Sequence, residues 1–216
     1  MPITSVRAGL CLHGFLRTGL SMLPMARHLQ AHGYGRVICP TVVYQAAPLE
    51  VHAARIAERA RWLASEQGVA RVDLVTHSMG GLLARAMLVQ GAPIGRIVML
   101  APPNRGAWMA AQARRLLPFH LLGWDPLQPL LPGSPDLLPQ RADGVEIGIL
   151  TGGRGDERGM WPFVPGDNDG RVRVEEAMLE GATELRVLPY GHATIMLRAE
   201  VMRLVTGFLR EGRFPV

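Results

Sequence analysis

Apolar residues along this 216-residue chain form short unbroken runs, separated by longer stretches in which they recur at helical spacing. The unbroken runs predict strands over 6–12, 35–43, 72–76, 94–100, 145–150 and 184–188. Helical periodicity predicts helices over 22–32, 49–67, 79–90 and 193–210. Gly33, Gly68 and Gly91 stand where the first three of these should stop. In the last helix, Val201, Leu204, Val205, Phe208 and Leu209 form one apolar stripe. Continuously apolar strands are buried on both faces, so strands alternating with helices predict an α/β architecture: a roughly six-stranded parallel sheet between helical layers. No internal repeat interrupts the alternation, and 1–216 reads as a single domain.

Composition supports a packed core and narrows the partners. Hydrophobic residues make up 48% of the chain and charged residues 19%, which excludes a disordered chain. The net charge is +5, and all 23 basic residues are arginine. These arginines form no block and accompany no nucleic-acid-binding motif, so no nucleic-acid partner is expected. An arginine bias of this kind goes with the codon composition of a GC-rich genome. Cys11 and Cys39 lie in apolar runs and are expected to be reduced, buried thiols, although neighbouring strands could bring their sulfurs together. No uncharged apolar stretch reaches the roughly 18 residues that span a bilayer, and no secretory pattern opens the chain. A soluble, cytoplasmic protein without a transmembrane segment is expected.

Chemistry in a parallel sheet collects beyond the carboxyl ends of its strands. Thr76-His77-Ser78-Met79-Gly80 sits at such an end, between a predicted strand and a predicted helix. It fits the pattern G-x-S-x-G, with Thr76 in place of the first glycine. In that pattern the backbone turns so sharply that the serine hydroxyl projects above the sheet, and small residues are needed two positions to either side. A serine that merely caps the helix would be an alternative. The strand–turn–helix context favours Ser78 as a nucleophile.

A serine nucleophile needs a base, and the base an orienting acid. His192 follows the last strand; His120 lies within the irregular insert, so His192 is the expected base. The acid should follow the fifth strand, where Asp156, Glu157, Asp167 and Asp169 are candidates. Asp167, Asp169, Gly170, Val172 and Glu176 also stand at calcium-loop spacing, but Pro165 would be the first ligand and no helix precedes it, so no metal is expected. A tetrahedral intermediate needs fixed hydrogen-bond donors for its oxyanion. The amides of Met79, after the nucleophile, and Phe15, after the first strand, are the expected pair. His13 is expected to make a structural hydrogen bond in the Phe15 turn. The segment 105–144, rich in Leu and Pro, is expected to be a short lid-like insert. Leu116, Leu117, Leu121, Leu122 and Trp124 would line an apolar groove there.

In these positions the sequence resembles the α/β-hydrolase superfamily, in particular its small bacterial lipases and esterases. L-H-G-F resembles the oxyanion loop, T-H-S-M-G-G the elbow and M-L-A-P-P-N-R-G the loop after the next strand. N-D-G-R-V-R-V-E-E resembles the acid turn and G-H-A-T-I-M the histidine loop. The resemblance runs in family order from residue 6 to 210. It implies a minimal α/β-hydrolase fold with a short cap insert and without early antiparallel strands. It implies a triad of Ser78, Asp169 and His192, and hydrolysis of a small-molecule or lipid-like acyl ester without metal or cofactor. The same triad serves thioesterases, amidases and acyltransferases, and a non-catalytic binding protein on this scaffold is the remaining alternative. Oligomeric state is not legible.

Overall fold

The computed structural model of the chain describes residues 7–116, 124–141 and 143–216. Six parallel strands, β1 (Arg7–Leu12), β2 (Tyr34–Ile38), β3 (Val72–His77), β4 (Ile94–Leu100), β5 (Ile147–Gly152) and β6 (Glu184–Leu188), pair in the order β2-β1-β3-β4-β5-β6. The order reverses between β1 and β3. Registers such as Leu12↔Thr76 and His77↔Leu100 bring the carboxyl ends of the central strands to one edge.

The helices are α1 (Leu23–Ala31), α2 (Leu49–Gln67), α3 (Met79–Val89), α4 (Trp108–Leu116), a single turn α5 (Val174–Ala177) and α6 (Ala199–Glu211). Alternate residues of each strand point to opposite faces. Leu10, Leu74, Ile97 and Ile149 meet α2 and α3 on one side, while Cys11, Val75, Val98 and Leu150 meet α1 and α6 on the other. All five residues of the apolar stripe read in 193–210 are buried. Each aliphatic side chain so covered contributes about 1.5–3 kcal/mol of transfer free energy.

Three boundaries differ from the sequence expectation. The second strand stops at Ile38 rather than running to 43. It is an edge strand, Pro40 lacks the N–H a ladder needs, and the Val42 N–H is turned inward to His13. The last helix starts at Ala199, not at 193. Residues 191–197 fold as tight turns, with the Thr194 and Ile195 amides both donating to the Gly191 carbonyl. The insert is not irregular throughout: it contains α4 and two 3-10 turns, Gln128–Leu130 and Ser134–Leu137. Val6, at the start of the expected first strand, and Leu117, His120, Leu121 and Leu122 lie outside the described residues.

Candidate active site

Ser78 joins β3 to α3 with φ 53° and ψ −125°, a backbone region that a residue bearing a Cβ seldom occupies. Holding a side chain there costs on the order of 1–3 kcal/mol, so the surroundings must enforce it. The Ser78 amide donates to the Leu100 carbonyl at 2.9 Å, and its carbonyl accepts from Gly81 at 2.8 Å. Gly80 makes the bend possible, because a Cβ there would lie 2.6 Å from the Leu12 carbonyl oxygen. Gly81 sits against Pro102 of the loop after β4 and against Met99 and Thr76 of the sheet, so with Gly80 it lets α3 approach the strands. Thr76, the departure from the small-residue pattern, is wholly buried.

The Ser78 hydroxyl makes no cap to its helix. It lies instead 3.1 Å from His192 Nε2, and His192 Nδ1 lies 2.8 Å from Asp169 Oδ2. The turn that carries Asp169 is tightly specified. Its Oδ1 accepts the amides of Arg171 and Val172 at 2.9 and 2.8 Å, and its carbonyl accepts the His192 amide at 2.9 Å. Gly170, at φ +96°, supplies the left-handed step between them. Two acceptor oxygens are thus divided between backbone donors and the imidazole, which leaves His192 Nδ1 as the donor and Nε2 free to accept from Ser78.

The other acid candidates lie elsewhere. Asp156 caps its own turn through the amides of Arg158 and Gly159, and Glu157 is exposed. Asp167 serves another loop: its two oxygens accept the amides of Arg154 and Gly155, pinning the chain after β5. The residues at calcium-loop spacing are engaged too, since Glu176 accepts the amides of Trp108 and Arg173 at 2.6 and 2.8 Å.

Phe15 lies in a turn closed by the Arg17 amide on the Gly14 carbonyl. His13, wholly buried, accepts the Val42 N–H at Nε2 and so donates from Nδ1 to that same carbonyl at 2.8 Å. Carbonyl and amide of one trans peptide point opposite ways, so the Phe15 N–H faces away from both donors. Met79 opens α3, where a first-turn amide has no intrahelical acceptor.

Several residues that hold the site together were not singled out in the sequence. His77 is buried with its ring 4.9 Å from that of His192, and its Nε2 meets the His192 carbonyl at 2.9 Å. Burial first, then the neighbouring His192, pushes its pKa well below the usual imidazole range. Asn168 is wholly buried and ties Trp161, Val164, Gly166 and Gly170 together. Its signal was the Asp-Asn-Asp-Gly run, in which an Asn amide closes turns on nearby backbone. Arg85, on α3 and wholly buried, donates to the carbonyls of Asn104, Pro135, Leu138 and Pro139. Burial pushes its pKa down to about 10. It fastens the second half of the insert to the helix that carries Ser78.

Ser78 and His192 open into a cleft of about 240 Å³. Phe15, Met109, Ala110, Ala113, Leu127 and Leu130 supply most of its apolar lining. Of the leucine strip expected there, Leu117, Leu121 and Leu122 lie outside the described residues, and the two members that are described do not line the cleft. Leu116 is largely exposed beside a neighbouring groove, and Trp124 packs by Pro48 and Gln128. The helical pitch of α4 turns Met109, Ala110 and Ala113 inward and leaves Leu116 out. Among the described residues no helix is long and apolar enough to cross a membrane.

No protein-family model matches the sequence, and no curated protein matches it. Solved structures do match the fold. The mature form of Bacillus licheniformis lipase BlEst2 superposes with a TM-score of 0.71 at 21% identity, over 91% of this chain and 89% of that one. Phospholipase PlaB from Legionella pneumophila gives 0.69 at 16% identity, over 96% and 60%. The Pyrococcus furiosus esterase Pf2001 gives 0.63 at 19% identity, over 95% and 83%. With its parallel six-stranded sheet flanked by helices, the chain has the α/β-hydrolase fold in a minimal form.

Proposed function

We propose that the protein is a serine hydrolase that cleaves carboxylic esters through an acyl-enzyme intermediate. The observation that carries this reading is the hydrogen-bonded line from Ser78 through His192 to Asp169, at 3.1 and 2.8 Å, at the floor of an apolar cleft. In this reading His192 Nε2 takes the Ser78 proton as Oγ attacks the ester carbonyl. The Phe15 and Met79 amides receive the oxyanion. The same Nε2–H then passes its proton to the departing alcohol oxygen, and water releases the acid by the reverse sequence. Asp169 holds the tautomer and stabilises the imidazolium. His77 packs against that imidazolium, and its depressed pKa keeps it neutral, so no second positive charge opposes proton transfer. The described part of the insert serves as the wall against which the acyl chain lies.

The lipase and esterase names of the matched structures support an ester substrate. The test is turnover of 4-nitrophenyl butyrate by the wild type and by Ser78→Ala. We expect hydrolysis by the first, a loss of at least 10³-fold in the second, and superimposable melting curves. Activity within tenfold of wild type in Ser78→Ala would remove the serine from the mechanism.

A further inference from the structure

The cleft above Ser78 is apolar along the insert, but its remaining rim is charged, and with one sign only. Arg17 and Arg171 both line it, and among the described residues no carboxylate does. Neither arginine forms an ion pair among the described residues. Arg17 is tied to the segment that holds His192, and Arg171 stands in the one that holds Asp169. Arg17 donates one guanidinium N–H to the carbonyl of Ala193, the residue after His192, at 3.1 Å. Arg171 stands in the Asp169 turn, its amide bound to the Asp169 carboxylate. Burial, and then the charge of Arg171, lowers the pKa of Arg17.

Many of the 23 arginines are unpaired among the described residues, so it is the placing of two of them together at the mouth of the cleft, and not their lack of a partner, that carries the argument. Adjacent like charges at the mouth of a cleft repel each other until an anion lies between them. The guanidinium fork suits phosphate or carboxylate, which it can bind through two parallel N–H groups. Position then decides which half of the ester carries the anion. The leaving oxygen or sulfur must sit at His192 Nε2 to receive its proton, and both arginines are tethered beside His192 and Asp169. The uncharged wall of Met109, Ala110, Ala113, Leu127 and Leu130 is left for the acyl chain.

We propose that the natural substrate carries an anionic group, phosphate or carboxylate, on its leaving group, and that Arg17 and Arg171 bind it. This rests on the serine-hydrolase reading above. The chemistry balances without a further reactant. The acyl C–O (or C–S) bond breaks as the Ser78 ester forms, His192 protonates the departing anionic alcohol or thiol, and water then cleaves the acyl-enzyme to the free acid.

The test uses esters with one acyl group and matched leaving groups: propyl butyrate, 3-phosphopropyl butyrate and 3-carboxypropyl butyrate, followed by proton release at low ionic strength. We expect kcat/KM for the better of the two charged esters to exceed that for propyl butyrate by about tenfold, from two charge-assisted contacts, and the ratio to fall as salt is added. In Arg17→Gln and Arg171→Gln the charged-to-neutral ratio should drop severalfold each, and in the double variant to near one. Arg→Lys at either position should restore part of it. The salt dependence in the wild type needs no variant and stands if the double variant folds poorly. Butyryl-coenzyme A and 1-butyryl-glycerol 3-phosphate then separate a soluble nucleotide-type thiol from a lipid headgroup as the source of the phosphate. Propyl butyrate hydrolysed as fast as the charged esters would overturn the inference and leave the hydrolase reading standing. So would a preference that survives in the double variant. If no ester is turned over, the hydrolase reading falls and this inference with it.

Discussion

Replacing Asp169 by asparagine tests how the site works more sharply than deleting the side chain, because the shape is conserved and only the donor pattern changes. Oδ1 of Asp169 accepts two backbone amides and Oδ2 accepts from His192. An asparagine has one oxygen and one NH2. If its oxygen stays with the amides of Arg171 and Val172, its NH2 faces His192 Nδ1 and donates to it. Nδ1 is then an acceptor, the ring proton moves to Nε2, and that N–H points at Ser78 Oγ. The base is lost. If the amide flips, the imidazole keeps the right tautomer but two backbone donors face an NH2, forfeiting two hydrogen bonds of about 1 kcal/mol or more each. The first arrangement wins, so the variant folds with the wrong tautomer. The corresponding change in a well-studied serine protease costs about 10⁴ in kcat, or about 5.4 kcal/mol. We expect Asp169→Asn to lower kcat by 10²- to 10⁴-fold with little change in melting temperature. Asp167→Asn serves as the control. It weakens one of two amide contacts to the 154–155 loop, and we expect a stability loss of about 1 kcal/mol and a kcat within tenfold of wild type. Both variants are measured side by side with 4-nitrophenyl butyrate and by thermal melting. If Asp167→Asn is the more damaging to kcat, or Asp169→Asn stays within tenfold, the reasoning is wrong.

Other expectations follow from the same geometry. Arg85→Met leaves three insert carbonyls and that of Asn104 without their buried donor and should destabilise the protein by about 3–5 kcal/mol, read as a lowered urea midpoint; a loss under 1 kcal/mol would show that the insert is not held there. His77 is protonated more readily unfolded than folded, so stability is present above the unfolded pKa near 6.5 and declines as pH falls. Between pH 7.5 and 5.5 it should account for about 1.4 kcal/mol, and the decline should be shallower by that amount in His77→Gln. Within the cleft each added acyl methylene should raise kcat/KM by at most about fourfold, from about 0.8 kcal/mol, and Ala110→Leu should truncate the series; equal constants from two to eight carbons would exclude the wall of α4 as the acyl site.

The sequence legibly carried whatever depends on local pattern. β4 and β6 run over the residues expected from their unbroken apolar runs, and α2 over its periodic stretch up to Gly68. Ser78, His192 and Asp169 are brought together from loops expected at the strands' carboxyl ends, because parallel topology sends those ends to one edge. The failures came from long-range contacts. Nothing local in the second strand says that Val42 will be drawn to His13, nor does anything near Arg85 say that its partners lie at 135–139. Leu116 misled because its Leu-rich surroundings suggested a lining, whereas the pitch of α4 presents Met109 and alanines to the cleft. Asp167 and Asp169 differ only in which loop returns beside them. The 154–155 loop returns beside Asp167 and the His192 loop beside Asp169, and spacing alone predicts neither.

The most direct test of the account is where a serine-directed fluorophosphonate attaches. Intact-mass and peptide analysis should find one adduct per chain, on Ser78, with labelling slowed at least 10²-fold in His192→Ala and absent in Ser78→Ala. An adduct on a different residue, or none on a protein that still hydrolyses 4-nitrophenyl butyrate, would contradict it.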